Sequence, residues 1–87
     1  MAVSKIAPTC SVQILTFSGD FTVTAGGYKV FTGVSIPNAK WVLPVANNWA
    51  HCLFGFAEKI GSTYDVYFRN VTSEEHTSHG YKCLAFY

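Results

Sequence analysis

The chain is short of charge. Only 13% of its 87 residues are Asp, Glu, Lys or Arg, against about 25% in an average soluble domain. Six basic residues (Lys5, Lys29, Lys40, Lys59, Arg69, Lys82) are scattered singly and the net charge is +1. That excludes the clustered, aromatic-interleaved basic stripe by which proteins hold nucleic acid. The five acids (Asp20, Glu58, Asp65, Glu74, Glu75) are too few and too dispersed to supply the carboxylate pair and cleft of a glycosidase in so small a domain. No run approaches the ~20 apolar residues of a membrane span. The Met1–Pro8 stretch lacks the apolar core of a secretory signal, so neither feature is expected. Cysteine is sparse and odd in number: Cys10, Cys52 and Cys83 sit far apart in apolar surroundings. They form no disulfide framework and are expected to be reduced, buried core residues. Helical periodicity, internal repeats and low-complexity tracts are absent, and Ala, Leu, Glu and Gln are thinly used.

What the chain does have is apolar and aromatic mass, 49% hydrophobic and 16% aromatic. A domain this small buries only about 60–65% of its unfolded surface, so part of that mass must lie at an interface or a binding site. Val, Thr, Phe, Tyr and Ile dominate, which is strand chemistry. The pattern predicts strands at 10–17, 21–24, 28–32, 41–45, 49–58, 64–69 and 81–87. Turns fall at Ser18-Gly19-Asp20, Ala25-Gly26-Gly27, Ser35–Asn38, Asn47-Asn48 and Lys59–Ser62. The expected fold is all-β, a small antiparallel sandwich or barrel of six to seven strands spanning residues 10–87, with residues 1–9 as an arm or linker.

The strands from Trp49 onward are unusual in being apolar on both faces. Tyr64, Val66 and Phe68 alternate with Asp65, Tyr67 and Arg69, and Tyr81, Cys83 and Ala85 alternate with Lys82, Leu84 and Phe86. An antiparallel sheet in a small monomer ordinarily keeps one wet face. A homo-oligomer is therefore expected, most simply a trimer, with Phe68 or Phe86 as candidate interface rings.

Chemistry-bearing groups are few. His76 and His79 lie with Glu74 and Glu75 in a polar stretch, 72–79, that reads as a loop between the last two strands. Zinc accepts imidazole and carboxylate, but a structural site needs four ligands and the stretch offers no such set. No metal or cofactor is expected, although in a trimer three copies of one His could meet on the axis. The stretch suits recognition better, with two acids, two imidazoles and several hydroxyls on a fixed base. His51 and Cys52 are adjacent on a predicted strand and so face opposite ways. With no orienting acid or oxyanion turn, an enzyme is not expected. Asn70-Val71-Thr72 matches a glycosylation sequon, but Asn70 reads as the end of a strand and the start of a turn. Exposed Trp and Tyr beside polar groups hold sugars and also join subunits. Trp41 and Trp49 are candidates for either.

The run from Ser62 to Thr72 (STYDVYFRNVT), followed by a polar stretch and the terminal Gly80–Tyr87 (GYKCLAFY), resembles the C-terminal ends of bacteriophage tail-fibre, tail-tip and related virion proteins. It is also similar to the end of the trimeric H-type lectin sandwich. The likeness covers about a quarter of the chain and carries no sugar-binding residue across. It implies a compact β-sandwich, trimeric packing, residence in the virion, and attachment to a host-surface glycan or protein, or to other virion proteins. Two other functions fit the same features: a small lectin-like carbohydrate-binding protein, or a phage-encoded inhibitor acting in the host cytoplasm.

Overall fold

The computed structural model describes residues 11–87. The expected arm over residues 1–9 and the reading of Cys10 lie outside the described residues. Among the described residues six strands follow one another: β1 (Val12–Val23), β2 (Tyr28–Val34), β3 (Trp41–Ala46), β4 (Leu53–Ile60), β5 (Thr63–Asn70) and β6 (His76–Phe86). They form two three-stranded antiparallel sheets, ordered β1-β6-β3 and β2-β5-β4. The described residues contain no helix, and so none long and apolar enough to cross a membrane.

The inner faces of the two sheets make the core. Phe21 and Val23 from β1, Tyr81, Cys83 and Ala85 from β6, and Val42 and Ala46 from β3 are buried against Tyr64, Val66 and Phe68 from β5. Phe68 sits among aromatic rings, with its centroid 5.0 Å from Phe21 and 5.1 Å from Tyr81. Its burial within the chain stabilises the fold by roughly 1.5–3 kcal/mol. Phe68 is thus a core ring and not the interface residue that its two-sided apolar strand suggested; Phe86 lies on the opposite side of its own sheet and is half-buried. Burial pushes the Tyr81 hydroxyl up to about 12 and the Cys83 thiol up to about 11. Cys52 and Cys83 are both buried and unbridged.

Three expected boundaries shift. The strands expected at 10–17 and 21–24 are one strand, β1, because the Ser18-Gly19-Asp20 turn is a β-bulge. Phe17 pairs with Tyr81 and Asp20 with His79, so two residues of β1 oppose Gly80 alone. Gly80 holds φ +82, and a Cβ there would collide with the Phe17 carbonyl oxygen. Only glycine satisfies both conditions. The strand expected to start at Trp49 starts at Leu53, since Trp49 adopts φ +62 and its carbonyl accepts from the amides of Cys52 and Leu53, each at 2.8 Å. The β4–β5 hairpin accordingly closes through Gly61-Ser62 alone, with Gly61 at φ +59.

The polar stretch 72–79 is only partly loop. Its second half is the start of β6, with His76, Thr77, Ser78 and His79 paired to Val23, Thr22, Phe21 and Asp20. Period two persists although the residues are polar. His76 and Ser78 point inward and are buried, while Thr77 and His79 are exposed. The inward polar atoms are all satisfied: Ser78 Oγ donates to the Gly80 carbonyl at 2.8 Å and accepts from the Asn48 amide at 3.1 Å.

Candidate functional site

The start of β6, the β3–β4 connection and the β5–β6 connection converge at one end of the sandwich. Asn70, the last residue of β5, is fully buried and organises the β5–β6 turn. Its Nδ2 donates to the carbonyls of Val23 (3.0 Å) and Glu74 (2.7 Å). Its Oδ1 accepts from Thr72 N (2.9 Å) and lies 2.7 Å from Thr72 Oγ1. The side chain thereby ties β1, β5 and the turn together, which is the strand-end role its position suggested. The turn fixes Glu74 and Glu75 in solvent and delivers His76 into β6, with Nε2 3.1 Å from Thr72 Oγ1.

The β3–β4 connection crosses from the other side. Asn47 and Asn48 clip it to the part of β6 that lies opposite the bulge. Asn47 Nδ2 donates to the His79 carbonyl at 2.9 Å, and the His79 amide donates to Asn48 Oδ1 at 2.9 Å. Trp49 follows in the left-handed backbone region, which costs a bulky residue about 1–3 kcal/mol. Its ring lies over His76, centroid to centroid 4.4 Å, with the His51 ring 5.9 Å away. The residue remains 47% exposed. His79 Nδ1 pairs with Asp20 Oδ1 at 2.9 Å on the open surface, where such a pair contributes about 0–1 kcal/mol.

The structure therefore brings Trp49, Glu74, Glu75, His76 and His79 to one end, and adds Asp20 and His51, which sequence reasoning did not assign to it. Trp41 is elsewhere: it pairs with Phe86 at the far end of β6, 66% exposed. The one sequence clue to the juxtaposition is the Asn47-Asn48 pair, whose side chains bridge to β6. The described residues hold no group of three or more His, Cys, Asp or Glu placed to bind a metal ion, and no enclosed pocket is found among them. The surface is an open end bearing one indole, exposed carboxylates and imidazoles. Such a surface can stack on an apolar ring face and hydrogen-bond hydroxyls around it. No family model, curated protein or solved structure matches this chain.

Proposed function

We propose that this protein is a non-enzymatic, trimeric attachment module of a bacteriophage virion, and that it holds a host-surface glycan or protein through the end of the sandwich built around Trp49. The observation that carries the reading is the state of Trp49 itself. A large apolar residue in a strained backbone conformation, half-exposed and braced by His76, is a feature that folding alone does not favour and that recognition does. Glu74 and Glu75 are exposed in the turn that leads into His76, and the exposed His79–Asp20 pair lies at the same end of the sandwich. The resemblance of the C-terminal run to virion proteins supplies the setting. An outer sheet face rich in exposed apolar side chains supplies the reason to assemble.

The test is binding of the purified protein to an array of bacterial surface glycans, together with mass spectrometry of phage particles for peptides of this chain. The expected result is retention of a defined glycan set, lost on Trp49→Ala and weakened when Glu74, Glu75 and His79 are replaced together by Ser, with the fold intact. Absence from particles, or glycan retention that ignores these substitutions, overturns the reading. His76 is left out of the replacement set because it is buried under the indole and its loss would test packing.

A further inference from the structure

Across the outer face of the β1-β6-β3 sheet the register aligns three rows: Val12–Phe86–Trp41, Ile14–Leu84–Leu43, and Thr16–Lys82–Val45. Paired residues of antiparallel strands share a face, so these nine side chains form one continuous surface. Seven are apolar. Trp41 is 66% exposed, Ile14 64%, Val12 50% and Leu43 42%, and no described part of the chain lies over them. The single charge, Lys82, is drawn to one end of the face, where its Nζ donates to Asn47 Oδ1 at 2.8 Å.

The outer face of the other sheet differs. Its rows read Tyr28–Arg69–Phe54 and Val30–Tyr67–Phe56, and the next pair sets Glu58 directly opposite Asp65. Like charges opposed across strands repel, and covering them without a partner would cost several times more. That face can stay in water. The first cannot do so without leaving a charge-free apolar patch on the order of 500–600 Å², at the top of the range for monomers. Three copies turning this face to a common axis would bury about 1,500–1,800 Å² in all before any rim is added, which falls in the range of specific interfaces.

We propose that the outer face of the β1-β6-β3 sheet is buried between copies of this chain, with β6 at the centre of the contact. The proposal rests on the oligomeric reading above and adds which surface makes the contact. Its test compares the wild type with Leu84→Glu, Ile14→Glu and Phe56→Glu by sedimentation equilibrium, with circular dichroism as the check on folding. Acrylamide quenching of Trp41, read in a Trp49→Phe background, reports the face directly. Leu84→Glu and Ile14→Glu are expected to sediment as folded single chains while Phe56→Glu stays assembled. Trp41 should be quenched several-fold less efficiently in the assembly than in the Ile14→Glu protein. If Leu84→Glu and Ile14→Glu stay assembled, or only Phe56→Glu dissociates, the face is wrong and the oligomeric reading survives. Full quenching of Trp41 in an assembled wild type says the same, and it decides the matter even if the glutamate variants do not fold. A wild type that is a single chain throughout overturns both.

Discussion

Replacing Asn70 with Ala should damage this protein more than any other single polar truncation. The side chain is fully buried and makes four close polar contacts, to the Val23 and Glu74 carbonyls and to Thr72 N and Oγ1. Alanine removes all of them and takes the side-chain partner from the Val23 carbonyl and the Thr72 amide, while the Glu74 carbonyl keeps the Thr72 hydroxyl at 3.0 Å. Each orphaned buried group costs about 1–3 kcal/mol. Some of that is recovered because Thr72 is only half-buried and its groups can turn to solvent. The net loss is about 3–5 kcal/mol, against a total stability on the order of 4–13 kcal/mol for a domain this size. At about 4–8 °C per kcal/mol, the melting temperature should fall by at least about 12 °C. Thr72→Val provides the internal comparison. It keeps the shape and the backbone amide, loses the hydroxyl contacts to Asn70, Glu74 and His76, and should cost about 1–2 kcal/mol. Asn70→Asp should be worse than Thr72→Val at neutral pH, because a carboxylate would face the two carbonyls that now accept from Nδ2. Its deficit should shrink as the pH is lowered and the carboxyl regains a proton to donate. Urea denaturation with unchanged m-values is the assay. An Asn70→Ala protein within 1 kcal/mol of the wild type would refute the claim that this side chain clamps β1, β5 and the turn.

Gly80→Ala should destabilise severely, about 3 kcal/mol or more, since it adds a collision with the Phe17 carbonyl to the strain of φ +82. Gly19→Ala, at φ +110 but with nothing within 4 Å of its Cβ, should carry backbone strain alone, and chemical denaturation of the pair separates the two effects. Thermal stability should not respond to reductant, because Cys52 and Cys83 are unbridged; a shift above about 5 °C would reveal a bridge. Iodoacetamide at pH 8 should modify Cys83 only after unfolding, as the thiol is fully buried and pushed up to about 11, and peptide mapping of partly labelled protein checks the order. Tyr81, raised from 10.0 to about 12, and Cys83, raised from 9.0 to about 11, both hold their protons more tightly in the folded state than in the unfolded one. Their contribution to stability is therefore complete below pH 9 and lost as the pH rises from 9 to 12; urea midpoints measured across that window should fall, and in the Cys83→Ala protein the fall should start later.

The parts of the fold that were legible are those where apolar period two runs uninterrupted. β5 follows from Tyr64, Val66 and Phe68, and the second half of β6 from Tyr81, Cys83 and Ala85. The first half of β6 was hidden because His76 and Ser78 are polar. Strand pairing depends on backbone bonds, and those two side chains can be buried only because Thr72, Asn48 and Gly80 happen to reach them. A period-two reading has no access to such partners. The same limit concealed the bulge, where the turn chemistry of Ser18-Gly19 is real but is spent on bending one strand. Trp49 looked like the first residue of an apolar strand, and nothing in its neighbours announces a left-handed backbone. The candidate site was half legible: Glu74, Glu75, His76 and His79 are contiguous, but their union with Trp49 depends on the β3–β4 connection folding back onto β6, a long-range fact. Two apolar faces per strand were legible. The structure assigns the Phe68 side to the core and leaves the Phe86 and Leu84 side outside it.

Everything proposed about assembly and attachment depends on this chain not existing alone in solution. The most direct check is the mass of the wild-type protein by light scattering over a micromolar to hundred-micromolar range in moderate salt. Three times the chain mass, stable to dilution into the low micromolar range, is the predicted result. A single-chain mass at every concentration would mean that a sandwich with Trp41, Ile14 and Leu43 in water is content there, and would contradict the account at its base.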